Sequence, residues 1–343
     1  MPSLSEAFRG HPVHLEHKHP DFKSLETLPD SYAWSQSQFQ PCSNKCSVPV
    51  IDMKHPKAPS LVGHACKTWG VFQVVNHDIP ITLFADMQRV TLALFSLPLL
   101  QKLKAARSPH AVSGFGSPRI SSFFPKLMWS DDIVVDYQAA MEKLAGKLMC
   151  LVLASLGISK GDIKWAGPRG EFDGACAALH LNSYPCCPDP DRALGLAAHT
   201  DSTLLTILHQ NNVNGLEVLK EGEGWVAVPP LPGGLVVNVG DLLHILSNGL
   251  YPSVLHRARV NRTQHRLSVA YLYGPPTNVI ISPHGKLVGP TRPALYRSVS
   301  WNEYLGTKAE HFNKALSSVR LNGLFDANED QKNDDFHSFK WFS

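Results

Sequence analysis

The chain has 343 residues, with 32 Lys and Arg against 29 Asp and Glu, a net charge of +3 and a pI near 8.4. That balance lacks the basic excess by which proteins grip nucleic acid through counterion release. With 43% hydrophobic and 18% charged residues, disorder is excluded for most of the chain.

Residues 1–47 are rich in Pro, His and Ser without a sustained period and read as an irregular lead-in. The first nine residues hold no apolar core of a secretory signal. A short β-branched run at 48–52, punctuated by Pro49, predicts an edge strand. Leu83, Met87, Val90 and Leu94 share one helical face and predict an amphipathic helix ended by Pro98. Met141, Leu144, Leu148 and Leu151 repeat that pattern over 139–157, with Gly157 as a stop. The longest apolar run, 148–158, falls short of the roughly 20 residues that a membrane span requires. Beyond residue 175 the texture changes to short β-branched or aromatic runs, at 177–184, 203–210, 215–219, 224–228, 235–239, 242–246, 254–260 and 267–273. Runs this short, with Gly, Pro and Asn between them, predict a two-sheet jelly roll or barrel, a mostly β core with flanking helices. No βαβ alternation, GxGxxG or phosphate loop is present. The predicted division is 1–174 as an irregular and helical region with edge strands, 175–285 as the jelly-roll core, 286–320 as a helical segment and 321–343 as a tail.

His199-Thr200-Asp201 carries the chemistry. In extended chain, alternate residues point the same way, so an imidazole and a carboxylate meet at one point. His256 is the candidate third ligand from a neighbouring strand. Two His and one carboxylate leave one face of an octahedron open, the arrangement of non-haem Fe(II) oxygenases; zinc competes, but its catalytic sites leave a single position. Arg266 and Ser268 are again spaced by two, and a guanidinium fork with a hydroxyl suits a carboxylate. Tyr184 can add a phenol donor. Cys42 and Cys46 have metal-like spacing without a second pair nearby and read as unpaired thiols, as do Cys186 and Cys187. His244 and His265 are assigned to strands or turns. Seven cysteines, an odd number without a regular framework, place the chain in a reducing compartment, taken as the cytoplasm.

Together, residues 182–185 (NSYP), His199-x-Asp201, His256 and Arg266-x-Ser268 resemble the plant 2-oxoglutarate- and Fe(II)-dependent dioxygenases, and residues 64–77 (HACKTWGVFQVVNH) look like that family's N-terminal signature. Within the family the chain is most similar to the gibberellin 3-beta-hydroxylases, through residues 9–12 (RGHP), 28–32 (LPDSY), 120–130 (ISSFFPKLMWS), 195–208 (GLAAHTDSTLLTIL), 237–242 (VNVGDL) and 308–316 (KAEHFNKAL).

The resemblance implies a double-stranded β-helix. It implies Fe(II) on His199, Asp201 and His256, with 2-oxoglutarate held by Arg266, Ser268 and Tyr184 and ascorbate in support. The reaction implied consumes 2-oxoglutarate and O₂ and hydroxylates a nineteen-carbon gibberellin at carbon 3 to give the active hormone. Phe123 and Phe124 are candidate substrate contacts, although an aromatic pair is more often core. Partners are expected to be small molecules, without nucleic acid or membrane, and the chain a monomer. One departure stands out. After Ser130 the family pattern continues through a longer stretch, whereas here Asp131-Asp132-Ile133 leads almost directly into the next helix, which touches substrate fit, activity and stability. A dioxygenase acting elsewhere on gibberellins or on a flavonoid, and a jelly roll that binds the hormone without turning it over, remain as alternatives.

Overall fold

Alternation along the β-rich half sorts its side chains onto the faces of two sheets. The larger sheet has seven strands in the order β1 (Val50–Asp52), β2 (Val71–Val75), β9 (Leu235–Val239), β6 (Leu205–Gln210), β11 (Arg266–Gly274), β4 (Cys176–Tyr184) and β3 (Asp131–Val135). The smaller has four, in the order β5 (Leu194–His199), β10 (His256–Arg259), β7 (Leu216–Lys220) and β8 (Gly224–Ala227). The β1–β2 pair is parallel and the other ladders of these sheets are antiparallel. A short pair, β12 (Ile280–Ile281) with β13 (Val299–Ser300), stands apart. This is a computed structural model, and it describes residues 22–321 apart from 23, 37–38, 41, 44–45, 106–114, 116–130, 136–138, 167–171 and 173.

The period of two explains which residues reach the interior between the sheets. On β6, Leu205 and Ile207 join the core beneath the helices, while Leu208 packs with Val218 and Val226 of the smaller sheet. On β11, Leu267, Val269, Tyr271 and Tyr273 take the helical side, leaving Arg266 and Ser268 for the other face. The helical layer is α1 (Ala58–Thr68), α2 (Ile81–Ser96), the single turn α3 (Leu99–Lys102) and α4 (Ala139–Ser155). Helix α4 buries Met141, Leu144, Ala145, Leu148, Met149, Val152 and Leu153, a stripe at three- and four-residue spacing. Gly157, with φ 71°, supplies the left-handed turn after it. The chain closes through α5 (Asp241–Leu246), α6 (Trp301–His311) and the turn α7 (Ala315–Ser318).

Several sequence expectations are met. The edge strand at β1, the eventual helix α4 and seven of the eight expected strands are present. Residues 242–246 are the exception, being helix α5 rather than strand. A run of that length, apolar but for His244 and buried at all its other positions, carries no clear period, so the pattern does not separate the two. Helix α2 buries Phe84, Thr91 and Phe95, one position on from the expected stripe, and Val90 is exposed. Its aromatic residues, the bulkiest on the helix, take the contact. Residues 131–135 do not run straight into the helix but form β3, paired antiparallel with β4 from Asp131↔Ser183 to Val135↔Leu179. Strands β2 and β5 were not among the expected runs.

Candidate metal centre

The smaller sheet builds the centre through its register. His256 on β10 lies directly opposite His199 at the end of β5, and Asp201 follows two residues on. The nitrogens and carboxylate oxygen of His199, Asp201 and His256 all lie within 4.8 Å of one another. Asp201 Oδ1 is 3.7 Å from His199 Nε2 and 3.6 Å from His256 Nε2, and the two imidazole centroids are 4.3 Å apart. These separations exceed direct hydrogen bonds and leave a shared point between the three donors.

Each histidine has its tautomer set by the backbone. His199 Nδ1 lies 2.8 Å from the Ala197 carbonyl and His256 Nδ1 lies 3.3 Å from the Val254 carbonyl. A carbonyl can only accept, so Nδ1 carries the proton in both and each Nε2 offers a lone pair inward. Burial, with His256 alongside, pushes His199 well below the usual imidazole range and keeps it neutral. For Asp201 burial works against ionisation, but the two imidazoles and hydrogen bonds from Thr206 and Asn238 outweigh it and hold the carboxyl below its ordinary range. The donor set is therefore two imidazole nitrogens and a carboxylate, with His199 held neutral and Asp201 held ionised. Its chemistry fits Fe(II).

The larger sheet supplies the second half. Arg266 at the start of β11 pairs in register with Tyr184, and Ser268 with Asn182 on one side and Gln210 on the other. The Arg266 guanidinium is 1% exposed. Its Nη2 donates to Gln210 Oε1 at 2.9 Å, and its carbon sits 5.0 Å from the Tyr184 ring centroid. Its Nε and Nη1 are buried without a hydrogen-bond partner among the described residues. Burial lowers the Arg266 pKa from its ordinary value, with Tyr184 opposing; a guanidinium nonetheless stays charged. A buried cation with two free donors is costly unless an anion completes it, and a carboxylate matches its fork.

Two glycines give this cation its room. A Cβ on Gly215 would stand 2.7 Å from Arg266 Cδ, and one on Gly195 would stand 2.5 Å from Tyr184 Cδ1.

The structure thus brings His199, Asp201 and His256 together, and Arg266, Ser268 and Tyr184 together. Phe123 and Phe124 lie outside the described residues. Sequence reading misses Gln210, the partner of Arg266, and gives no role to Asn182, whose Nδ2 lies 3.4 Å from Ser268 Oγ. Asn182 was in view as part of the NSYP run; Gln210 has no local signal and enters only through register. Cys42, Cys46, Cys186 and Cys187 are unpaired, as read. His265 meets Ser183 Oγ at 2.9 Å. His244 is in helix α5, not a strand or turn, and its nitrogens contact the Tyr251 carbonyl and Tyr296 hydroxyl.

Comparison with known proteins agrees with this geometry. A profile of the 2OG-Fe(II) oxygenase superfamily matches residues 175–275, and one described as the N-terminal region of the non-haem dioxygenase in morphine synthesis matches residues 48–149. The chain is 62% identical to gibberellin 3-beta-dioxygenase 1 of Pisum sativum over 369 aligned positions, covering 97% of this chain and 99% of the relative. It is 54% identical to gibberellin 3-beta-dioxygenase 1 of Arabidopsis thaliana, covering 93% and 99%. The crystal structure of JOX2 in complex with 2OG, Fe and JA is 29% identical and superposes with a TM-score of 0.76, covering 87% of this chain and 95% of the other. The pea alignment is longer than the 343 residues of this chain, so that relative carries positions with no counterpart here.

Proposed function

The chain belongs to the 2OG-Fe(II) oxygenase superfamily, among its gibberellin 3-beta-dioxygenases, and from that premise we propose how its own residues divide the work. The activity is 2-oxoglutarate-dependent 3-beta-hydroxylation of a gibberellin in gibberellin biosynthesis, with Fe(II) as metal. His199, Asp201 and His256 would hold the iron. Arg266, Ser268 and Tyr184 would hold the far carboxylate of 2-oxoglutarate. The substrate would be a nineteen-carbon gibberellin lacking the 3-hydroxyl, and the product the active hormone.

When bound, iron and 2-oxoglutarate supply O₂ activation, with succinate and CO₂ as by-products. The chain supplies position and dryness. The Ala197 and Val254 carbonyls hold Nδ1 of each imidazole and so turn each Nε2 towards the iron. Gln210 occupies one arm of Arg266 and aims the others at the incoming anion. Tyr184 covers the face of the guanidinium and keeps water from it. The observation that carries this reading is the pair of Arg266 nitrogens between the sheets that have no hydrogen-bond partner among the described residues.

The reading extends to a monomer acting on small molecules in the cytoplasm, supported by seven thiols none of which is in a disulfide. No helix of the described residues is long and apolar enough to cross a membrane. The division into 1–174, 175–285, 286–320 and 321–343 is retained as part of the proposal.

The test is anaerobic loading with Fe(II) and 2-oxoglutarate, then O₂ and a 3-deoxy gibberellin, measuring succinate and hydroxylated product together. One product per succinate supports the assignment. Succinate without hydroxylated gibberellin rejects the substrate, and neither product from protein that still binds Fe(II) rejects the activity.

A further inference from the structure

The C-terminal helical segment reaches back to the metal centre and holds both neighbours of His199. Asn313 Nδ2 donates to the Ala198 carbonyl at 3.2 Å. Lys308 Nζ, one turn before the end of α6, donates to Thr200 Oγ1 and, at 2.9 Å, to Asp241 Oδ2. The same carboxylate oxygen accepts from Thr200 Oγ1 at 3.1 Å and from Tyr304 OH at 2.9 Å. Asp241 is fully buried, and its backbone N–H donates to the Asp201 carbonyl at 2.7 Å. One residue therefore ties the chain on both sides: its amide fixes Asp201 and its carboxylate fixes Thr200. Phe312, between α6 and Asn313, takes a left-handed φ of 47°, a conformation that a bulky residue adopts only where its surroundings demand it.

Docking of a helix does not require this arrangement. A buried ion pair adds little stability over an apolar pair of the same shape, because desolvation consumes the attraction. What charged, directional bonds add is geometry, and here they converge on the three residues 198, 200 and 201 that flank or include the ligands. We propose that Lys308, Asp241 and Asn313 are positioning residues for the iron, and that α6 and the turn after it form a brace fixing the angle between His199 and Asp201. The inference rests on the reading of His199, Asp201 and His256 as the iron ligands.

The test uses the full chain and two readouts: anaerobic Fe(II) titration followed through the visible charge-transfer band with 2-oxoglutarate, and thermal unfolding of the metal-free protein. Lys308→Met alone strands a buried carboxylate and can fail to fold, so the informative variant is the double Lys308→Met, Asp241→Asn, which removes both charges at nearly constant volume. Asn313→Ala is the independent arm, and Lys308→Arg the conservative one. The expected result is Fe(II) binding about 10- to 100-fold weaker in the double variant and in Asn313→Ala, a metal-free unfolding midpoint close to the parent's, and partial recovery with Lys308→Arg. Parental iron affinity in the double variant and Asn313→Ala overturns the brace, as does iron loss that merely follows a lowered metal-free midpoint. His256→Ala separates the two readings: if it binds Fe(II) as the parent does, the ligand assignment falls and the brace falls with it.

Discussion

Arg266 has two buried nitrogens with no hydrogen-bond partner among the described residues, a debt in stability that a bound dicarboxylate removes. Arg266→Met should therefore raise the KM for 2-oxoglutarate by at least about 100-fold, since two charge-assisted bonds at roughly 1.5–3 kcal/mol each are lost. Fe(II) binding should persist, and the metal-free variant should unfold no earlier than the parent. Steady-state kinetics and calorimetry check both. A second prediction concerns His209, which stacks on Phe84 at 4.5 Å and contacts Gln88. Burial, with His77 acting in the same direction, pushes its pKa down from 6.5 to about 4. The folded state thus refuses a proton that the unfolded chain accepts. Its stabilising effect is complete above pH 6.5, falls as the pH drops towards 4 and levels off below, a loss of about 3 kcal/mol at most. Thermal midpoints between pH 7 and 5 should fall less in His209→Gln than in the parent. At this scale the sequence was most legible where function needs an i, i+2 pair, as in His199 with Asp201 and Arg266 with Ser268. Gln210 and the Lys308–Asp241 pair were not legible, because their contacts depend on which strands and helices become neighbours.

Elements were legible in proportion to their period. Helix α4 announces itself through a seven-residue buried stripe, and the alternating strands through the face they turn inward. Helix α5 carries no period, since all its side chains but His244 are buried. What places it is the turn before it: a Cβ on Gly240 would collide with the Thr203 carbonyl. Gly240→Ala should therefore force the β9–α5 junction away from Thr203 and shift Asp241, costing about 1–3 kcal/mol by overpacking and weakening Fe(II) binding in the same titration. Gly195→Ala should act on the other half of the site. Its Cβ would press on the Tyr184 ring, so the KM for 2-oxoglutarate should rise while iron affinity holds, a split that kinetics and titration together resolve.

For the whole molecule, the main question is the stretch after Ser130. The pea relative aligns over 369 positions against 343 residues here, and β3 occupies the edge of the larger sheet beside β4, which bears Asn182 and Tyr184. Lengthening the chain between Ser130 and Asp131 should change kcat/KM for the gibberellin. Succinate formed without substrate should stay the same, because the iron and 2-oxoglutarate groups lie on other strands; product and succinate assays decide it. The pairing of His256 with His199 across β10 and β5 has a consequence for assembly as well. Side chains alternate along a strand, so a slip of one residue would present Leu255 or Arg257 to the centre in place of His256. Such a chain could be compact and well packed and still hold no metal. Iron bound by a preparation therefore reports that β5 and β10 have met in the right alignment, which compactness alone does not.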